Sequence, residues 1–226
     1  MSVRERLAEI RSRIERAAER ANRNPASVTL VAVTKIFPAA AIREAYEAGL
    51  REFGENYVQE FESKAPEVSD LAYVRFHLIG HLQSNKARRA VELFQVIQTV
   101  DSLKLARRLD EAQGSIAGER TLDVMIEVKL SAEQAKAGAD PRDLPELVAG
   151  LRASKNLNLL GLMTMPPWSD DAELSRPYFR RLRELAAQFE LPHLSMGMSH
   201  DFEAAIEEGA THIRVGTALF GKRKKP

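Results

Sequence analysis

Short apolar runs alternate with longer amphipathic segments along most of the chain. The first run, residues 30–33, is apolar at every position, as expected for a strand that is covered on both faces. Seven further runs have a similar character, and turn or capping residues separate them from their neighbours. We predict strands in "TLVAVTK", "REFGEN", "RFHLIG", "VIQTVD", "LDVMIEVKL", "NLLGLMTM", "HLSMG" and "HIRVGTALFG".

The segments between these runs have apolar residues at helical spacing. We predict helices in "PAAAIREAYEAG", "YVQEFESKAPEV", "QSNKARRAVELF", "SLKLARRLDEAQG", "PRDLPELVAGLRAS", "DAELSRPYFRRLRELAAQF" and "DFEAAIEEGA". Residues 1–22 predict a further amphipathic helix, whose apolar face is formed by Val3, Leu7, Ile10, Ile14, Ala17 and Ala18.

Eight strands separated by helices predict an α/β protein of the (β/α)₈ TIM-barrel type. No low-complexity linker interrupts the pattern, so we predict one domain over residues 1–226, with the helix at 1–22 and the barrel at 29–221. An open doubly wound sheet is the alternative. The barrel is favoured because the strand count is eight and because no GxGxxG motif follows the first strand.

Composition narrows the possible partners and the compartment. The chain has 33 basic and 32 acidic residues, so no global field attracts nucleic acid or an acidic membrane. Cysteine is absent, which excludes disulfides and thiolate metal sites. No apolar run approaches the roughly 20 residues that span a bilayer, and the N-terminal residues lack the apolar core of a signal peptide. We therefore expect a cytoplasmic monomer with no nucleic-acid or membrane partner.

Several polar or reactive residues fall at predicted strand ends. In a TIM barrel, functional groups collect at the C-terminal ends of the strands. The candidate site residues are Lys35, Asn56, His77, Met163, Ser199, Arg214, Gly216 and Thr217.

The residues after the seventh and eighth strands predict a phosphate site. Ser199 and Thr217 supply hydroxyl groups, and Gly216 permits a close backbone approach. Barrels frequently bind phosphate with these two loops. The alternative is that Ser199 only caps its helix and Gly216 only packs.

Lys35 follows a buried strand, where a charged amine is costly. Apolar surroundings favour the neutral amine, which is a nucleophile and forms Schiff bases with aldehydes. In a closed barrel the first and eighth strands are neighbours, so Lys35 adjoins the predicted phosphate site. An aldehyde that carries a phosphate is pyridoxal phosphate, and Arg214 would lie within reach of its ring. The alternative is a lysine whose head group extends into water.

Six motifs in order resemble the pyridoxal phosphate homeostasis proteins, whose fold is similar to the N-terminal barrel of alanine racemase. The resemblance covers essentially the whole chain. It rests on "LVAVTK", "FGENYVQE", "HLIGHLQSNK", "GLMTM", "LSMGMSHD" and "RVGTALFG".

This resemblance implies a role for each candidate residue. Lys35 would carry the cofactor as an internal aldimine, and Arg214 would face the pyridine nitrogen. The phosphate would be held by Ser199, Gly216 and Thr217, and the pocket would be lined by Asn56, His77 and Met163. The implied function is to hold pyridoxal phosphate, buffer its aldehyde and pass it to cofactor-free enzymes through transient contacts.

Two positions depart from the family pattern. The family usually has an asparagine where this chain has Lys129, and a serine where it has Ala137. Both lie in or after the fifth predicted strand. Because of these departures, a role of the neighbouring Lys136 in handling the cofactor stays undecided.

Two enzymatic alternatives remain at this point. A small racemase would use the same Schiff base, but a cation at the ring nitrogen weakens the electron sink. It would also need a base on the opposite face, and we expect neither that base nor a second domain before Pro226. The other alternative is a metal-dependent hydrolase that uses His77 and His81, but carboxylates at ligand spacing are missing. His77 also fits a hydrogen-bonded core histidine.

Overall fold

The apolar runs form the strands of a closed parallel barrel. A computed structural model describes residues 1–116, 120–131 and 137–221. Each strand pairs in parallel with the next, and β8 pairs with β1. This closure confirms the (β/α)₈ barrel, because an open doubly wound sheet would leave two unpaired edges. The strands are β1 (Thr29–Val33), β2 (Glu52–Glu55), β3 (Arg75–Leu78), β4 (Val96–Val100), β5 (Leu122–Glu127), β6 (Leu157–Met163), β7 (His193–Met198) and β8 (His212–Val215).

Helices surround the barrel, and none that the described ranges contain is long and apolar enough to cross a membrane. Short 3₁₀ turns precede or extend several of them. The helices are α1 (Val3–Arg20), α2 (Ala39–Glu47), α3 (Val58–Lys64), α4 (Ala87–Leu93), α5 (Leu103–Gly114), α6 (Leu144–Arg152), α7 (Arg176–Gln188), α8 (Phe202–Glu207) and α9 (Thr217–Phe220).

Helix α1 buries the face that the sequence predicts. Ser2 and Glu5 form a reciprocal capping box at its start, which satisfies two backbone N–H groups. The helix packs against α8 and α9, and Arg13 donates two hydrogen bonds to Glu203 on α8. The buried residues are those predicted: Val3, Leu7, Ile10, Ile14, Ala17 and Ala18.

The strands separate an apolar outer core from a more polar interior. Because successive side chains of a strand point to opposite faces, every second residue faces the helices and the others face the barrel interior. Outward-facing residues such as Phe53, Ile97 and Ile213 belong to the main hydrophobic core. The interior holds Gln98 and Ser195, which are fully buried and hydrogen-bonded to each other.

Most of the predicted strands end one or two residues earlier than expected, and the fifth and eighth end earlier still. The eighth ends at Val215, and the following residues form α9, where the N–H groups of Leu219 and Phe220 donate to the Gly216 carbonyl oxygen. These local bonds satisfy backbone groups that have passed the end of the barrel ladder. The fifth strand ends at Glu127.

Candidate cofactor-binding site

A cavity of about 420 Å³ opens at the C-terminal ends of the strands. Its size lies within the range of roughly 300–1,000 Å³ that is typical of small-molecule sites. Six of the eight predicted site residues line it: Lys35, Asn56, Ser199, Arg214, Gly216 and Thr217. The described wall is completed by Val33, Ile79, Met165, Trp168, Met198, His200 and Ala218.

A strained turn presents Lys35, which lies two residues after β1. Ile36 has a φ of 71°, which is unfavourable for a β-branched side chain. Such strain persists only where surrounding contacts hold it. The Ile36 N–H donates to Glu60 Oε1 at 2.5 Å, and the Thr34 hydroxyl donates to Glu55 Oε1 at 2.7 Å. The backbone is therefore fixed on both sides of Lys35.

Lys64 joins these two anchors in a largely buried ionic network. Its ammonium donates to the Thr34 carbonyl oxygen at 3.0 Å, to Glu55 at 3.1 Å and to Glu60 at 2.6 Å. Burial raises the pKa of Glu55, and the Lys64 charge opposes that rise. Because removing one member of a buried ion pair leaves the other uncompensated, this network is a strong constraint on the turn.

Hydrogen-bond donors converge at the ends of β7 and β8, next to the end of β1. The backbone N–H groups of Gly216 and Ala218 both point at Ser199 Oγ, each at 3.3 Å. A Cβ atom at position 216 would lie 3.3 Å from the Cβ and carbonyl oxygen of Val33, so β8 passes closely beside β1 here. The N–H groups of Gly216 and Ala218, the Ser199 hydroxyl and the hydroxyl of the exposed Thr217 form a donor set suited to a phosphate.

Gly197 sets the direction of the chain that carries Ser199. Its φ is 91°, and a Cβ atom would lie 2.5 Å from the Cβ of Ala205. Only glycine fits this position. The turn that follows is held by Asp201, whose Oδ1 accepts the Met198 N–H at 2.7 Å.

Arg214 is almost fully buried and forms the floor of the cavity. It is 3% exposed and donates to Ser195 Oγ at 2.7 Å and to the Thr164 carbonyl oxygen at 2.9 Å. Burial lowers the pKa of Arg214 to about 10, against the effect of nearby Glu127 and Asp201. The guanidinium therefore stays charged at neutral pH.

His77 and Met163 lie within the barrel below the described cavity wall. His77 is 1% exposed and Met163 is fully buried. In each case the residue two positions later, Ile79 or Met165, lines the cavity instead. Two residues along a strand correspond to roughly 6.6 Å, so the site begins one layer higher than expected. Contact of His77 and Met163 with a cofactor stays a prediction.

Sequence reasoning did not include Trp168 and His200 in the site. Their rings are in contact at a tilt of 48°, with centroids 4.0 Å apart, at the edge of the cavity. Their positions in the sequence could have identified both residues. Trp168 is the one tryptophan of the chain and follows the sixth strand, and His200 directly follows Ser199.

His77 and His81 do not form a common site. His77 is enclosed in the barrel, whereas His81 lines a neighbouring cavity of about 490 Å³ and lies 3.5 Å from Asp101. Within the described ranges, no group of three or more histidine and acidic side chains is placed to hold a metal ion. This arrangement gives the metal-dependent hydrolase no support.

The chain is similar in sequence to several known proteins. A sequence profile described as "Alanine racemase, N-terminal domain" matches residues 6–224. The pyridoxal phosphate homeostasis protein of Pseudomonas aeruginosa is 48% identical over 98% of this chain and 96% of its own length. The corresponding proteins of Aquifex aeolicus and Escherichia coli K12 are 43% and 42% identical, over 99% and 96% of this chain and 100% and 95% of their own lengths. The chain belongs to the pyridoxal phosphate homeostasis protein family.

Solved structures place the family fold in a wider context. PipY of Synechococcus elongatus, described with pyridoxal phosphate bound, is 44% identical, with a TM-score of 0.86 over 97% of this chain and all of that one. Alanine racemase of Clostridium difficile is 13% identical, with a TM-score of 0.71 over 99% of this chain and 57% of that chain. The racemase likeness shows a shared fold alone.

Two lysines, Lys129 and Lys136, follow β5 in the sequence. Lys129 lines the neighbouring cavity, which shares Met165, Trp168 and Met198 with the first. Lys136 lies outside the described residues. Glu127, at the end of β5, also lines that neighbouring cavity.

Glu127 is expected to make stability depend on pH. It is 3% exposed, and its Oε2 has no hydrogen-bond partner among the described residues. Burial raises its pKa from 4.5 to about 7, although Arg214 opposes the rise. The folded state therefore binds this proton more tightly, so the free energy of unfolding should fall as pH rises between these values, by on the order of 3 kcal/mol. Glu127→Gln should remove this fall in denaturant unfolding measured at about pH 5 and about pH 8.

Glu55→Gln provides the matched control. Glu55 is equally buried, but it accepts hydrogen bonds from Thr34 and Lys64. Its replacement should destabilise the protein at about pH 8, because the Lys64 ammonium loses a buried counter-ion. An unchanged pH dependence in Glu127→Gln would show that Glu127 does not titrate in this range.

Proposed function

We propose that this chain binds pyridoxal 5′-phosphate as a Schiff base on Lys35, and that it buffers the cofactor and delivers it to other proteins. The observation that carries the proposal is the placement of Lys35 and the Ser199–Gly216–Thr217 donor set on the wall of one cavity. Relatives named as pyridoxal phosphate homeostasis proteins, and a related structure with this cofactor bound, support it.

The residues of the cavity fit the chemical groups of this cofactor. The hydroxyls of Ser199 and Thr217 and the N–H groups of Gly216 and Ala218 would bind the phosphate. Apolar side chains such as Ile79 would contact the faces of the ring. When bound, the cofactor supplies an aldehyde, which condenses with an amine and releases water. Lys35 is the lysine on the described cavity wall that offers this amine.

Arg214 favours a carrier over an enzyme. Its guanidinium remains charged at neutral pH, because its pKa is lowered only to about 10. A cation beside the ring nitrogen disfavours protonation of that nitrogen, and an unprotonated ring is a weak electron sink. The site would then hold the aldehyde without activating the α-carbon of an amino acid.

One feature favours a second candidate, a small amino-acid racemase. His200 lines the cavity and contacts the ring of Trp168, so an imidazole is available as a base in addition to Lys35. The described cavity wall contains no tyrosine. The racemase candidate therefore requires His200 to act on the face opposite Lys35.

Exchange of the α-hydrogen in deuterium oxide distinguishes the two functions. Loaded wild type is expected to exchange the α-hydrogen of alanine or serine far more slowly than the roughly 1–10³ per second of ordinary enzymes. Arg214→Glu should accelerate exchange, because a carboxylate supports protonation of the ring nitrogen. Rapid exchange with racemised product in wild type, lost in His200→Asn, would establish the racemase instead.

Delivery requires contact with proteins that use this cofactor. We propose that cofactor-free enzymes meet the open end of the barrel transiently, where Trp168 is 69% exposed beside the cavity. The monomeric state and the cytoplasmic location stay predictions.

A further inference from the structure

A chain of hydrogen bonds crosses the barrel interior from Arg214 to Glu52. Arg214 donates to Ser195 Oγ at 2.7 Å, and Ser195 Oγ donates to Gln98 Oε1 at 2.6 Å. Gln98 Nε2 lies 2.8 Å from His77 Nδ1, and His77 Nε2 lies 2.5 Å from Glu52 Oε2. Of these five residues, only Arg214 belongs to the described cavity wall.

Arg214 and Glu52, at the two ends of this hydrogen-bond chain, fix the direction of every hydrogen bond in it. A carboxylate only accepts hydrogen bonds, so His77 must carry its proton on Nε2, facing Glu52. Nδ1 of a neutral imidazole then accepts from the Gln98 amide, whose carbonyl oxygen accepts the Ser195 hydroxyl. The free lone pair of Ser195 accepts from Arg214, which can only donate. A second proton on His77 would reverse half of the chain.

The surroundings of His77 favour its neutral form. Burial lowers the pKa of His77, and the hydrogen bond to Glu52 opposes this. The titratable and charged side chains near the ring come from four strands: Glu52, Arg75, Asp123 and His212. His193 lies beyond His212 and contacts it. Arg75 and Asp123 form an ion pair with each other, so their effects on His77 largely offset. His212 is neutral, because burial lowers its pKa to about 3.

The hydrogen-bond chain determines how Arg214 faces the cavity. Its two described hydrogen bonds, to Ser195 and to the Thr164 carbonyl oxygen, fix the plane of the guanidinium. Hydrogen bonds in a buried series polarise one another, which connects this cation to the carboxylate of Glu52. A group held in this way loses little freedom when a ligand binds.

We propose that Ser195, Gln98 and His77 are positioning residues of the cofactor site. They hold Arg214 through a hydrogen-bond chain that ends on Glu52 and in which the direction of each hydrogen bond is fixed. This inference rests on the proposed function, because Arg214 is the group through which the chain would act on bound pyridoxal phosphate.

The state of His77 can be measured without any cofactor. In cofactor-free protein labelled with nitrogen-15 histidine, His77 should be a neutral imidazole with its proton on Nε2 at neutral pH. The resonances of His77 are identified by their absence from the spectrum of His77→Gln. A proton on Nδ1, or a doubly protonated ring, would overturn the direction of the chain.

Substitutions along the chain test its effect on the cofactor. Ser195→Ala should weaken binding of pyridoxal phosphate by roughly two- to thirtyfold and shift the pH midpoint of its visible band. Gln98→Met should act in the same direction. Thr99→Val is the matched control. Thr99 is also fully buried, but its hydroxyl donates to the Gly80 carbonyl oxygen and takes no part in the hydrogen-bond chain. Its affinity and spectrum should equal those of wild type.

The outcomes separate the two proposals. Wild-type affinity and an unshifted band in both Ser195→Ala and Gln98→Met would overturn the positioning role. Equal losses in Thr99→Val would overturn it as well, since a general loss of packing would then suffice. Failure of wild type to bind pyridoxal phosphate would instead contradict the proposed function, while the histidine spectrum would still report on the chain.

Discussion

Lys35→Ala should abolish both the visible absorbance of the protein incubated with pyridoxal phosphate and the adduct that borohydride reduction makes permanent. The expected loss is complete, because no other side chain on the described cavity wall offers a primary amine. Intact mass after reduction, followed by peptide mapping, measures the result. In wild type the added mass should map to Lys35.

Lys129→Ala is the matched control for this experiment. Lys129 lines the neighbouring cavity, which shares three wall residues with the first. Its replacement should leave the adduct on Lys35 intact. An adduct that maps to Lys129 or Lys136 in wild type would show that the attachment site is elsewhere.

Removing the hydroxyls of Ser199 and Thr217 should give the second large effect, on affinity. A hydrogen bond to a charged oxygen contributes roughly 1.5–3 kcal/mol, which corresponds to roughly 10- to 150-fold in affinity for each hydroxyl. Ser199→Ala with Thr217→Val should therefore weaken binding of pyridoxal phosphate strongly. Pyridoxal, which lacks the phosphate, should bind wild type poorly and lose little more in the double variant.

Ser102→Ala controls for the loss of a hydroxyl at the same end of the barrel. Ser102 follows β4 and caps α5, where its oxygen accepts the Leu105 N–H. The substitution should cost about 1 kcal/mol of stability and leave the affinity unchanged. Equal binding of pyridoxal and its phosphate by wild type would rule out the phosphate site.

The buried ionic network around Lys35 shows how the fold and the site depend on one another. Glu55, Glu60 and Lys64 lie in β2 and α3, yet they hold the turn after β1. The sequence identified Lys35 as an unusual charge at a strand end. It did not show that a second charged cluster, about 25 residues later, holds the backbone beside it.

The depth of the site illustrates a limit of sequence patterns. Ile79 follows His77 by two residues, just past the end of β3, and Met165 follows Met163 by two residues, just past the end of β6. The side-chain period of extended backbone is two, so the residues of each pair point the same way. That period identifies which residues point into the barrel. It does not show where the packed interior ends and the cavity begins, because that level depends on side chains from all eight strands.

The sequence by itself determined the element order, the closed barrel, the buried face of α1 and six of the residues that line the cavity. These features follow from local periodicity and from the rule that parallel strands end at one face, so neighbouring residues in the chain carry the information. Only the tertiary structure decided that Ile79 and Met165 line the cavity, that the rings of Trp168 and His200 are in contact there, and that Gln98 connects His77 to Ser195. Those contacts join residues far apart in the chain, and their geometry arises from the tilt and closure of the barrel.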